Sequence, residues 1–294
     1  MSTPAKYSIR DLEILSNIKS HTIRIWEKRY NVLNPERTDT NIRYYTNEDL
    51  KKLLNVSFLN KHGIKISKIM EMSEEEILVT VQSLNLSHSD NDTLIENLMV
   101  AMIDLNEAYF YKTLNASTSS LGFEKTITDI VFPFFHKIGI MWQTGVINPA
   151  QEHFVSNIIR QKIIAATECL EYAPSENFPK VILLLPEGEL HELSLLLYNY
   201  ALRKRGYPTI YLGQAVPLES LQRIIEIISP DIMVCSITNS LNNLETDEIL
   251  QEMGQKFSGE IFVSGYAVRE SKKKLKPNVR KFEQLNELLE LIAG

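Results

Sequence analysis

A chain of 294 residues is about twice the usual domain length, so two or three domains are expected. Its 44% hydrophobic and 23% charged residues exclude a disordered or fibrous chain, and its two cysteines, Cys169 and Cys235, lack the spacing of a disulfide framework or a thiolate zinc site. The formal net charge of −6 conceals an asymmetry, because residues 1–70 carry 13 Lys and Arg against 7 Asp and Glu whereas the remainder carries 18 against 30. A basic first quarter on an acidic body suggests one module that faces a polyanion. No apolar run approaches the roughly 18 residues of a membrane span. The first residues do not resemble a signal peptide, so the expectation is a cytoplasmic protein without a membrane partner.

Residues 7–70 read as short amphipathic helices joined by tight turns. Ile9, Leu12 and Leu15 are expected to pack a first helix, Ile18 to continue the core through a turn, and Ile23, Trp26 and Tyr30 to pack a second helix. The outward face of the second helix then presents Ser20, His21, Arg24 and Lys28, as the recognition helix of a helix-turn-helix does in the major groove. Arg37, Arg43 and Tyr45 follow in a basic extended loop, placed like a wing that grips flanking phosphates. Trp26 and Tyr30 are expected in the core, and Glu27 is expected to hold Arg29 or another neighbour.

A polar stretch, Leu86 to Thr93, is the first linker candidate. Beyond it Leu94, Leu98, Met102 and Leu105, then Val155, Ile159, Ile163, Ala166 and Leu170, recur at helical spacing and predict a bundle of about three or four helices. Asn148, Pro149 and Gln151 read as an N-cap, a first-turn proline and an N3 amide, which puts Glu152 and His153 in the opening turn of the last bundle helix. The second linker is Ala173 to Pro179. The period then changes to strand-length apolar runs at Val181–Leu185, Thr209–Leu212, Ile232–Cys235 and Ile261–Val263, separated by helical patterns. Gly206 falls just past a helix, and Gly213 just past the second strand. This alternation predicts a doubly wound parallel sheet, Rossmann-like or flavodoxin-like. The expected architecture is multidomain α and α/β: a winged helix-turn-helix over 1–75, a helical bundle over 90–174 and the parallel-sheet domain over 178–294.

The N-terminal segment closely resembles the DNA-binding domain of the MerR family of transcriptional regulators. The family pattern of Thr, hydrophobic, Arg, two aromatics and Glu is met by Thr22, Ile23, Arg24, Ile25, Trp26 and Glu27, with Ile25 in place of the first aromatic. Arg37 followed by Arg43, Tyr44 and Tyr45 matches the family's wing. The resemblance implies double-stranded operator DNA as partner and contact roles for Ser20, His21, Arg24, Arg37, Arg43 and Tyr45.

Ligands on parallel sheets bind beyond the carboxyl ends of the strands. The loop after the first strand, Pro186 to Glu192, is not GxGxxG, which disfavours a dinucleotide. It offers His191 with Glu189 two residues before it, a carboxylate able to orient an imidazole for a metal. A single His cannot hold zinc, but it can be one axial ligand to a metal held in a macrocycle. The run Glu189, Leu190, His191, then Ser236, Ile237, Thr238, then Ser264 and Gly265 resembles the signature of cobalamin-binding domains. The resemblance implies cobalt ligation by His191, a slot for the displaced nucleotide tail lined by Ser236 and Thr238, and a close backbone approach at Gly265. Two family glycines are replaced, by Ser194 and Ser264, each of which adds a Cβ and a hydroxyl where the tail should pass.

Trp142, nine residues, then Glu152 and His153 is similar to the upper-face motif of the CarH and LitR group of light-responsive MerR-type regulators, which bind adenosylcobalamin. Trp142, Glu152 and His153 would then cover the upper face of the cofactor. Gln143 departs from the group, some of whose photosensors place a ligating His directly after this Trp. The resemblance now spans nearly the whole chain. It implies a regulator, a repressor in the resembling group, that senses adenosylcobalamin or another cobalamin as a homo-oligomer, dimer or tetramer, with light as signal and carotenoid or photoprotection genes as targets. RNA polymerase or an antirepressor are further candidate partners. The rival reading keeps the DNA-binding module and treats the sensor as a degenerate, cofactor-free surface that answers to a protein partner. An enzymatic role is disfavoured: no nucleophile with base and orienting partner is recognisable.

Overall fold

A computed structural model of the protein describes residues 6–84, 90–143, 147–171, 173–238, 243–271 and 273–293. It comprises two compact units, Met1–Val155 and Ser156–Gly294.

In the first unit, α1 (Ile9–Ser16) starts with a reciprocal cap in which the Ser8 hydroxyl accepts from the Asp11 amide and Asp11 accepts from the Ser8 amide. Asn17, left-handed at φ 59°, ends α1 and begins the tight turn into α2 (Ser20–Tyr30). Asn31 ends α2 in the same way. A two-stranded antiparallel wing follows, β1 (Glu36–Arg37) on β2 (Arg43–Tyr44). The base of the wing is closed by Tyr7 and Tyr45, which exchange both backbone hydrogen bonds at 2.9 Å. Next come α3 (Asn47–Lys61), with a Thr46–Asp49 capping box, α4 (Ile66–Ile69) and α5 (Glu74–Leu84). Leu12, Leu15, Ile23, Leu50, Leu53 and Phe58 form the buried centre of this module.

The bundle is built from α6 (Asn91–Ile103), α7 (Glu107–Leu121), the short α8 (Phe123–Thr126) running through a π-helical turn (Ile127–Val131) into α9 (Phe132–Gln143), and α10 (Pro149–Glu168). Helix α10 begins in the first unit and continues into the second. The first linker is shorter than its composition indicates. Asp90 caps α6 by accepting from the Thr93 amide, and Thr93 is buried inside the helix. Residues 86–89 of that linker lie outside the described residues. Leu94, Leu98 and Met102 are buried as expected, but Leu105 lies past the end of α6 at φ 51° and is 52% exposed.

The second unit contains β3 (Val181–Pro186), α11 (Leu193–Lys204), β4 (Thr209–Val216), α12 (Leu218–Ile228), β5 (Ile232–Ser236), α13 (Asn243–Lys256), β6 (Glu260–Ser264), α14 (Tyr266–Glu270), β7 (Val279–Lys281) and α15 (Leu285–Ala293). The strands form one parallel sheet in the order β4-β3-β5-β6-β7. That is the doubly wound, flavodoxin-like order, with its topological switch between β3 and β5. Strand β3 is buried along its whole length, as a central parallel strand covered on both faces must be. Gly213 does not follow the second strand; it lies within β4 at φ 80°, where the register against β3 shifts between Leu183 and Leu184. A fifth strand, β7, was not expected. Among the described residues no helix is long and apolar enough to cross a membrane.

Candidate functional site

The helix-turn-helix places His21, Arg24 and Lys28 on the exposed face of α2, with Ile25 at 53% exposure among them. Ser20 is half-buried, and its hydroxyl and amide both donate to Glu13, at 2.5 and 3.1 Å. These bonds, with Lys19 beside them, hold the Glu13 carboxyl down at about 2. The Ser20 side chain therefore fastens α2 to α1 rather than facing outward. Arg37 is exposed at the wing and donates to the Asn41 side chain at 2.7 Å, and Arg43 is exposed beside it. A surface groove between α2 and the wing is lined by Arg24, Lys28, Asn31, Asn34 and Arg43.

Tyr45 is a correction. It is wholly buried, and its hydroxyl donates to Glu27 at 2.9 Å, which withdraws it from any contact with DNA. Burial and this hydrogen bond to a carboxylate push its phenol above the ordinary range. The partners of Glu27 are Tyr45 and, at 3.5 Å, Arg43, whereas Arg29 lies over the Tyr30 ring. Glu27 thus pins the wing to the recognition helix, a role that pairing along the helix could not have indicated. Trp26 and Tyr30 are half-buried at its flank rather than core.

The bundle places Glu152 and His153 as expected. Asn148 Oδ1 accepts from the Ala150 amide at 2.9 Å, the Asn148 amide donates to Gln151 Oε1 at 3.4 Å, and α10 starts at Pro149. His153 is exposed, its Nδ1 3.2 Å from Glu152. Gln151 also donates to the Ile103 carbonyl at 2.9 Å, tying the start of α10 to the end of α6. Trp142 lies in α9, and its side chain, like that of Gln143, is outside the described residues.

In the second unit the loops after β3 and β5 meet at the switch point, joined by Glu189. Its carboxylate is 3% exposed, and it accepts from the His191 amide at 2.8 Å, from the Thr238 amide at 2.7 Å and lies 2.6 Å from His191 Nδ1. The imidazole itself is 57% exposed at the carboxyl edge of the sheet. With Nδ1 committed to the carboxylate, Nε2 is the atom through which a metal would be held. Among the described residues no three His, Cys, Asp or Glu side chains meet as a metal cluster, so this donor set suits a metal that brings its own equatorial ligands. Leu190, between Glu189 and His191 in the same loop, is an apolar side chain at 62% exposure. The neighbouring Glu192 is buried, accepts from Arg160 of α10 at 2.5 Å and from the Tyr211 hydroxyl at 2.8 Å, and so steadies the loop from below.

The other residues of this set are less open. Ser236 is 1% exposed, and its buried Oγ finds no hydrogen-bond partner among the described residues. Gly265 adopts φ 106°, and a Cβ there would lie 2.3 Å from the Ile237 carbonyl oxygen. The space beside Gly265 is therefore taken by the chain's own backbone. Thr238 contributes its backbone amide, and residues 239–242 lie outside the described residues.

Residues 7–76 match the family model described as MerR HTH family regulatory protein, and residues 94–166 match the B12 binding domain model. The chain is 28% identical over 273 residues to the HTH-type transcriptional repressor CarH of Myxococcus xanthus, covering 90% of both chains. It is 23% identical over 246 residues to the HTH-type transcriptional repressor CarA of the same organism, covering 83% of this chain and 81% of that one. Among solved structures it is similar in fold to the monomethylamine corrinoid protein of Methanosarcina barkeri, with a TM-score of 0.55 and 15% identity over 69% of this chain and 98% of that one.

Proposed function

We propose that this chain, in which a MerR-type DNA-binding module precedes a B12 binding domain, is a transcriptional repressor that senses a cobalamin through His191. The observation that carries the reading is the Glu189 junction, which fixes the imidazole at the switch point of a parallel sheet while leaving it 57% exposed. Support comes from the relatives, named transcriptional repressors over nine-tenths and four-fifths of their length, which favours a regulator over an enzyme.

Within this reading Arg24, Lys28, Arg37 and Arg43, with His21, contact operator DNA, while Ser20 and Glu27 hold α2 and the wing in place for them. A bound cobalamin would be held through His191, which Glu189 orients, and the resemblance carried by their motif assigns Trp142, Glu152 and His153 to cover it. Adenosylcobalamin supplies a cobalt–carbon bond that light can cleave. Ligand that favours one oligomeric state of the protein, dimer or tetramer, raises avidity on paired operator sites, and its loss lowers it.

The test is an absorption spectrum after incubation with adenosylcobalamin in the dark and desalting, repeated after green illumination. Retained colour that His191→Ala abolishes is expected, with a spectral change on illumination. A colourless wild-type protein would favour the cofactor-free regulator answering to a protein partner.

A further inference from the structure

Tyr198 projects from α11 into the interior beneath the carboxyl edge of the sheet and is 4% exposed. Its hydroxyl lies 3.2 Å from Ser264 Oγ at the end of β6 and also hydrogen-bonds Ser194, half-buried one turn earlier in α11. Its ring packs edge-on against Phe282, with centroids 5.2 Å apart. The two serines that replace family glycines are thus the two partners of one buried phenol. A side chain of this size, satisfied at its polar tip and packed on its face, is a stable filling rather than a loose one. Ser264 pairs in register with Ser236, which is 1% exposed, so a ligand reaches Ser236 only if these neighbours move.

We propose that Tyr198, locked by Ser194 and Ser264, plugs the slot that would take a cobalamin's nucleotide tail, so that the site selects corrinoids whose tail is absent or stays outside. The inference rests on the reading of His191 as cobalt ligand. Its physical basis is a competition. In cobalamin the tail's own base competes with His191 for the lower face of cobalt, and burial of the displaced tail would offset that competition. With the slot filled, nothing offsets it. A corrinoid without the base, cobinamide, meets no such competition.

The experiment is a spectrophotometric titration of the full chain with cobinamide and with cobalamin, for wild type, Tyr198→Ala, and Tyr198→Ala combined with Ser264→Gly. Circular dichroism and melting verify that each variant is folded, and Tyr198→Phe, which keeps the ring, serves as a second plugged form. Wild type and Tyr198→Phe are expected to bind cobinamide roughly tenfold or more tighter than cobalamin, with the preference lost or reversed in the opened variants. Wild type that binds cobalamin as tightly as cobinamide, or tighter, overturns the plug and leaves the cobalamin-sensing reading intact. Wild type that binds neither, with cobalamin binding gained on opening, upholds the plug and removes cobalamin sensing from the natural protein. Folded proteins that bind neither corrinoid in any form overturn both.

Discussion

Glu189 gathers more of the second unit's chemistry than any residue around it. Three donors converge on one carboxylate, from its own loop and from the end of β5, and each is a charge-assisted hydrogen bond. Replacing it by Gln keeps the volume but puts an NH2 group where one of those donors now points. The imidazole then loses its fixed tautomer, and the Thr238 or His191 amide loses an acceptor. Glu189→Gln is expected to lower corrinoid affinity by about 10–100-fold, the usual effect of removing an outer-shell partner from a metal-ligating His. Titration against wild type, with operator DNA binding of the ligand-free protein as control, checks this. Unchanged corrinoid affinity would show that the carboxylate does not position the ligand. The acid and the imidazole were legible in the sequence because they sit two residues apart. The Thr238 amide was not, since it arrives from 49 residues away through a crossover that only the sheet order defines.

Elements with a strong period were the readable ones. The runs at Val181, Thr209, Ile232 and Ile261 became strands because each is apolar over several residues and flanked by amphipathic helix, while β7, three residues with two exposed, has no such signal. Tyr45 was misplaced for a related reason. In the sequence it sits with Arg43 and Tyr44, but the pleat of a strand turns neighbours to opposite faces, and its face is the core. The glycines divide similarly. Gly213 looked like a strand end and is a bulge, because a turn and a bulge call for the same left-handed residue. Gly265 was assigned to ligand approach, yet the nearest obstacle to a Cβ is the backbone of Ile237, whose amide also pairs with the Ser264 carbonyl at 2.8 Å. Gly265→Ala is therefore expected to destabilise the second unit by about 3 kcal/mol through a strained φ and a forced backbone shift. Denaturant unfolding in the absence of any corrinoid measures it. A loss below about 0.5 kcal/mol would mean the close approach relaxes freely.

At the scale of the molecule, charge is divided by task. Within the first unit the DNA-binding module is fastened to the bundle by lysines: Lys51 to Asp104 and Lys61 to Glu96, each at 2.7 Å, and Lys137 to the Leu15 carbonyl at 3.0 Å. Glu96 is 2% exposed, so burial raises its carboxyl, and burial likewise lowers Lys137. These lysines face inward, which removes them from the count of cations that can meet phosphate. The exposed cations on α2 and the wing are Arg24, Lys28, Arg29, Arg37 and Arg43, of which Arg29 lies over the Tyr30 ring and the other four are left to meet phosphate. Counterion release then sets the salt dependence: about four neutralised phosphates per module give a slope of log K on log salt near −3.6. Counting every cation of residues 1–70 would instead demand a slope several times steeper. Arg24→Ala is expected to shallow the slope by about 1, while Lys61→Met, which touches only the bundle, should leave it unchanged. Fluorescence anisotropy on a duplex carrying the natural operator, across a salt series, separates the two. A slope unaffected by Arg24→Ala would move the DNA-contacting surface off α2 and the wing.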